Sequence, residues 1–209
     1  FSCVILYVRG KESDLGAFFM VVGMITAFLD FFTNETLTLL VPLLLIFRIR
    51  EKRGWERGEW KMVIRWGFLW GIGYVGMWGL KWVAGSAVLG ENVMPYVQNS
   101  IWEHLGRESA IPGMEFIREI LVRNISTLFP FGYGIIGAAI FVLLAAVFLL
   151  LIICKRVVLK EKVNQDAVMV YAFLGVLPYL RYLVIQHHSW FHFFFTHRAQ
   201  AATVLALCF

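Results

Sequence analysis

The chain has 209 residues, 60% hydrophobic and only 16% charged, with a mean hydropathy of +0.73 and a net charge of +5. A soluble domain is nearer half apolar, so this composition argues against a water-soluble globular enzyme and for a membrane protein. Most Lys and Arg sit in short linkers between apolar runs, where they set membrane orientation, so the positive balance does not point to nucleic acid.

The chain opens on Phe1 rather than Met, and Phe1 to Val8 reads as the tail of an earlier span. It closes inside an apolar run, Ala199 to Phe209, and is read as a piece of a longer protein. No basic segment precedes a short apolar core, so no cleavable signal peptide is expected. Cys3, Cys154 and Cys208 are each embedded in apolar runs without a CxxC pair, as small apolar residues would be.

Leu15 to Phe32 and Leu37 to Phe47 are two apolar runs separated by the polar break Thr33-Asn34-Glu35-Thr36. They predict two short helices joined by a tight turn, because one joined helix would far exceed the bilayer thickness. Arg48 to Lys61 is a basic cytoplasmic linker. Met62 to Ala84 is the next expected span. Within it, Gly67 and Gly71 form a small-xxx-small pair suited to close helix packing.

Ser86 to Phe131 is a long polar insertion with two helical periodicities. In the first, Val97, Ile101 and Leu105 share a face and Gly106 is a stop signal. In the second, Pro112 opens the helix and Met114, Ile117 and Leu121 share a face, with Glu119 and Arg123 spaced as an i,i+4 pair. Both read as helices on the membrane surface, or as a small cap folded on itself. Gly132 to Cys154 and Val168 to Gln186 are two further spans, the second interrupted by Pro178. Thirteen of the 19 lysines and arginines fall in the segments placed inside. Four, Arg107, Arg118, Arg123 and Arg198, fall outside, which fits a single orientation.

The polar chemistry collects on the outer side. Four of five histidines, His187, His188, His192 and His197, lie in one stretch that ends at Arg198. On a helix, His188 and His192 share a face at i,i+4. Three readings stay open: an interfacial belt, contact with an anionic or sugar ligand, or a metal site. No nearby Cys, Asp or Glu completes a metal set, which ranks that reading last. Arg181 lies inside a span, where a charge is costly and faces a partner, a polar cavity or the headgroups. Asp30 ends an apolar run and is a candidate base, metal ligand, Arg181 partner or helix cap. Lys81, near a span end, is explained by snorkelling. Asn34-Glu35-Thr36 and Asn124-Ile125-Ser126 match the N-glycosylation pattern.

The stretches GMITAFLDFFTNETLTLLVPLLL (residues 23–45) and LPYLRYLVIQHHSWFHFFFTHRAQA (residues 177–201) resemble segments of bacterial multi-pass membrane proteins related to the GT-C glycosyltransferases. Together they cover under a quarter of the chain. The acidic motif usual in the family's first outer loop is not identifiable in this sequence.

The resemblance implies an all-helical enzyme that takes a sugar from a polyprenyl-phosphate carrier at the extracytoplasmic face. Arg181 and Arg198 would bind the lipid phosphate, and His187, His188, His192 and His197 would line the substrate. Asp30 would position or activate the acceptor, a glycan or lipid. No cofactor is required by this reading, though it leaves room for a divalent metal. A transporter or flippase of a lipid-linked or anionic solute would use the same Arg and His set, and a non-catalytic scaffold is the third reading.

The expected fold is therefore all-α: a polytopic transmembrane helical bundle with about six spans. It would form one transmembrane domain over residues 1–209, with residues 86–131 an extracytoplasmic insertion carrying amphipathic helices. The expected location is the bacterial plasma membrane, in the cell envelope.

Overall fold

The computed structural model describes residues 12–29, 34–53, 59–105, 113–128, 135–157 and 165–209. Every regular element among them is helical. They form two compact units, divided between Trp102 and Glu103.

In the first unit, α1 (Glu12–Phe28), α2 (Glu35–Lys52) and α3 (Glu59–Leu89) alternate in direction. Phe19 stacks on Trp66, Gly23 meets Trp70, and Lys81 reaches Ala27, so α1 and α3 run parallel. Trp70 meets Thr38 while Phe47 meets Trp66, so α2 runs back between their ends. The core is the aromatic set Phe19, Phe47 and Trp66, with Leu15, Leu40, Leu43, Leu44 and Ile46 buried around it. One polar knot ties the three helices: Trp70 Nε1 donates to Thr38 Oγ1 at 3.1 Å, and Thr38 donates to the Glu35 carbonyl at 2.7 Å. Thr26 Oγ1 stands 3.0 Å from Thr38 Oγ1.

The close crossing of α1 and α3 uses glycines that the sequence spacing does not single out. A Cβ on Gly23 would fall 2.1 Å from the Trp70 carbonyl oxygen, and one on Gly73 would fall 2.1 Å from that of Met20. Gly67 and Gly71, the pair suggested by their spacing, meet nothing within 4 Å among the described residues. They lie on a different face of α3.

At the end of α3, Gly90 takes a left-handed φ of 70°, which any Cβ would oppose. Asn92 Oδ1 accepts from the Met94 amide and opens α4 (Met94–Leu105); Gly106, the expected stop, lies outside the described residues.

In the second unit, α7 (Gln165–Val184) and α10 (Ala201–Cys208) form an antiparallel hairpin. Thr203 Oγ1 donates to the Gly175 carbonyl at 2.7 Å, and a Cβ on Gly175 would already stand 3.3 Å from that of Ala206. Tyr171 meets Phe209 toward the other end. Between the two helices the chain breaks into α8 (Gln186–Phe191), α9 (Phe193–Thr196) and a 3-10 turn, His197–Gln200. This broken stretch caps the C-terminal end of α7. Helix α5 (Gly113–Ser126) packs across it through Phe116 and Ile120 against Tyr182 and Trp190. The buried face of α5 is Phe116, Ile120 and Asn124, beside the apolar set Met114, Ile117 and Leu121 that the spacing picks out; Met114 is 80% exposed. Tertiary contact with Tyr182 and Trp190, absent from the local pattern, selects this face.

The expectation of about six spans is corrected. Among the described residues, two helical stretches combine span length with sufficient apolarity: Ile135–Cys154 of α6 (Ile135–Val157) and Gln165–Val184, the whole of α7. Either could cross a membrane. Among the described residues little covers the first, with Leu143, Leu150 and Leu151 turned outward. The other runs fall short for separate reasons. The apolar part of α1 covers only Leu15–Phe28. Helix α2 carries Glu35, Arg48, Arg50, Glu51 and Lys52. Helix α3 is long, but Trp, Tyr and Gly replace aliphatic side chains and it holds Lys61, Arg65 and Lys81. Helix α10 has eight residues.

Candidate functional site

The polar residues of the second unit gather at the capped end of α7. Asn124 is their centre and is fully buried. Its Nδ2 donates to the Ile120 carbonyl at 2.9 Å and the Ser189 carbonyl at 3.0 Å. Its Oδ1 accepts from Thr196 Oγ1 at 2.6 Å, and its main-chain carbonyl accepts from Gln200 Nε2 at 2.7 Å. Tyr182 adds a hydrogen bond from its hydroxyl to the Thr196 carbonyl at 2.8 Å. These bonds answer main-chain groups that the breaks between α8, α9 and the 3-10 turn leave outside a regular helix. A short, interrupted stretch is thereby held in one shape.

Arg181 sits beneath this cap, 7% exposed. Its Nη1 donates to Ser189 Oγ at 3.3 Å, and Ser189 Oγ donates to the Ile185 carbonyl at 2.7 Å. The Arg181 guanidinium brings a positive charge and a planar fork of donors into this buried place. Desolvation makes that charge expensive, and it acts strongly on any anion that shares the site.

The histidines divide. The rings of His188 and His192 come together, with centroids 4.7 Å apart; His188 is buried and His192 exposed. His187 turns to an apolar surface, edge-on to Phe116 and Phe191. His197 Nδ1 donates to the Phe193 carbonyl at 3.1 Å, a bond within its own stretch. Arg198 is exposed, its guanidinium 5.3 Å over the Phe195 ring. Asp30, the proposed catalytic carboxylate, lies outside the described residues.

A second cluster joins α5 to α8. Trp190 Nε1 donates to Glu119 Oε2 at 3.1 Å, while the Arg123 guanidinium lies 4.3 Å over the Trp190 ring. Glu119 and Arg123 also pair at 3.8 Å, as their spacing predicts. This carboxylate and cation stand beside the histidine stretch, yet the sequence reading treats them only as an exposed helix pair. Asn124, Ser189, Thr196 and Gln200 are likewise missed as a group. The available signal was Asn124 itself, one turn after Ile120 on an apolar face. A buried amide with both donors engaged cannot carry a glycan, which removes the Asn124 glycosylation reading.

Lys81 has partners within the first unit. Its Nζ donates to the Ala27 and Phe28 carbonyls at 3.2 Å, satisfying the C-terminal end of α1. Among the described residues, no group of three His, Cys, Asp or Glu converges as a metal site. An apolar face of α6, bounding about 500 Å³, is lined by Ile135, Ala139, Val142, Leu143 and Ala146 and holds none of these polar groups. Comparison with protein-family models, with curated proteins and with solved structures finds no match.

Proposed function

We propose that this chain belongs to a membrane glycosyltransferase that uses a polyprenyl-phosphate-linked sugar donor at the extracytoplasmic face of the cell membrane. The observation that carries the anion-binding half of this reading is Arg181: a buried, permanent cation at the end of a span-length helix, beneath a cap bearing His188 and His192. A departing lipid phosphate needs positive charge in a water-poor site, where each charge acts more strongly than in water. Arg181 supplies that charge, and His192 and Arg198 supply donors on the exposed side of the same stretch. The sugar chemistry rests on the resemblance of residues 23–45 and 177–201 to the GT-C enzymes.

In this reading α6 and α7 both cross the bilayer. The outward leucines of α6 face lipid, and the polar cap sits at headgroup depth on the outer side. The lipid carrier then approaches from the bilayer with its phosphate at the level of the cap.

The transporter or flippase reading is favoured by one feature, the interruption of helix at Ile185 and again at His192. Broken helices of this kind surround solute sites in transporters. An assay of purified full-length protein with a polyprenyl-phosphate sugar donor separates the two. Sugar transfer that falls when Arg181 becomes Lys or Gln supports the transferase. Movement of the lipid-linked sugar across vesicles without bond cleavage supports the transporter. Transfer unchanged in both variants removes Arg181 from the site.

A further inference from the structure

We infer that His188 and His192 form a two-imidazole site for a divalent transition-metal ion such as Cu2+, Ni2+ or Zn2+, with water in the remaining positions. The inference stands apart from the sugar chemistry, since it needs only the shape of one cap.

The two rings are held one helical turn apart by the backbone. The His192 amide donates to the His188 carbonyl at 3.0 Å, so the turn between α8 and α9 keeps an i,i+4 relation although the helix breaks there. Their centroids are 4.7 Å apart. A metal–nitrogen bond of about 2.0–2.1 Å, plus about 1.1 Å from nitrogen to ring centre, puts each ring centre roughly 3.2 Å from a shared ion. Two such rings on neighbouring coordination positions, at angles of about 95–109°, then stand roughly 4.7–5.2 Å apart. The observed spacing lies at the short end of that range.

The surroundings suit the task. Ser189, between the two histidines, is locked by bonds from Arg181 and to Ile185, and its carbonyl is held by Asn124. The chain carrying both ligands is thus fixed before any ion arrives, which lowers the entropic cost of closing a chelate. His188 is buried while His192 is exposed, which opens the pair to an ion on one side. The other two histidines of the stretch are engaged elsewhere, His187 on Phe116 and His197 on the Phe193 carbonyl. Imidazole selects Cu2+, Ni2+ and Zn2+ over Mg2+ and Ca2+, which want oxygen ligands. With no third protein ligand among the described residues, the site keeps open positions, as ligand-binding metal sites do.

The test uses full-length protein in detergent, purified with a tag lacking histidine, stripped with chelator and titrated with CuCl2 and NiCl2. One ion per chain is expected, with a Cu2+ resonance showing two equivalent nitrogen ligands. His192→Gln, at an exposed position, is expected to weaken binding roughly tenfold or more, because one imidazole cannot chelate. His187→Gln and His197→Gln are expected to leave it unchanged. If His188→Gln fails to fold, the His192 variant and the two-nitrogen signature decide alone. Binding that persists in His192→Gln, binding lost equally in His187→Gln or His197→Gln, or a one-nitrogen spectrum would overturn the assignment.

Discussion

Gly73 lies against the main chain of Met20 so closely that a methyl group on it would stand 2.1 Å from the Met20 carbonyl oxygen. Gly23 lies against Trp70 in the same way, so α1 and α3 touch backbone to backbone at two points. Such contact gains dispersion energy that larger residues would forbid, and it is how helices associate where the hydrophobic effect is absent. Gly73→Leu should therefore separate the helices and cost at least about 1–3 kcal/mol, the usual range for overpacking. Gly71→Leu, with nothing described within 4 Å, should be neutral by comparison. Thermal unfolding in detergent distinguishes them, and equal losses would contradict the crossing.

The Asn124 network should be the most sensitive point of the second unit. Asn124→Ala removes two donors and one acceptor from a fully buried place and takes the side-chain donor from the Ser189 carbonyl, while the Thr196 hydroxyl keeps the His192 carbonyl at 3.1 Å. A buried group left without its partner costs about 1–3 kcal/mol, so a loss of at least about 1 kcal/mol is expected. Chemical unfolding in mild detergent measures it. Asn124→Asp should also destabilise, because a carboxylate accepts from Thr196 but cannot donate to Ser189.

Arg123 over Trp190 is a cation–π contact at a partly exposed site. A double-mutant cycle of Arg123→Gln and Trp190→Leu should return a coupling of about 0.5–2 kcal/mol. Coupling near zero would show that the two side chains act independently.

Helix α6 offers a direct check of membrane crossing. Leu143 is exposed on an apolar face. Leu143→Arg should reduce membrane insertion by about 2.5–3.5 kcal/mol on the scale for a charge at the middle of a span. An insertion assay with glycosylation reporters on either side reads the effect, and undiminished insertion would place this face away from lipid.

How much of this was legible beforehand depended on whether a feature was local. Helix α1 ends at Phe28 and α2 begins at Glu35, two helices rather than one as expected, because polar residues at the start of a run act on their own segment. The Glu119–Arg123 pair and the His188–His192 pair follow from helical spacing alone. Which glycines meet another helix does not, since Gly73 gains its role only from Met20, some fifty residues away. The buried face of α5 was not legible for the same reason: Phe116 and Ile120 are chosen by Tyr182 and Trp190. The six-span expectation weighed aromatic and glycine-rich runs as though they were aliphatic, and α3 shows the difference. Asn124 looked like a surface acceptor because its pattern is read from three residues, whereas its burial is decided by Ser189, Thr196 and Gln200.

The central claim is that a buried guanidinium at the outer end of α7 holds the phosphate of a lipid carrier. The most direct measurement is the affinity of the detergent-solubilised protein for a short-chain polyprenyl phosphate. Wild type should be compared with Arg181→Gln, whose folding is first confirmed by its helical circular dichroism. Loss of a charge-assisted bond to phosphate is worth about 1.5–3 kcal/mol, so the variant should bind roughly 10- to 100-fold more weakly. Equal affinity in the two folded proteins would contradict the account.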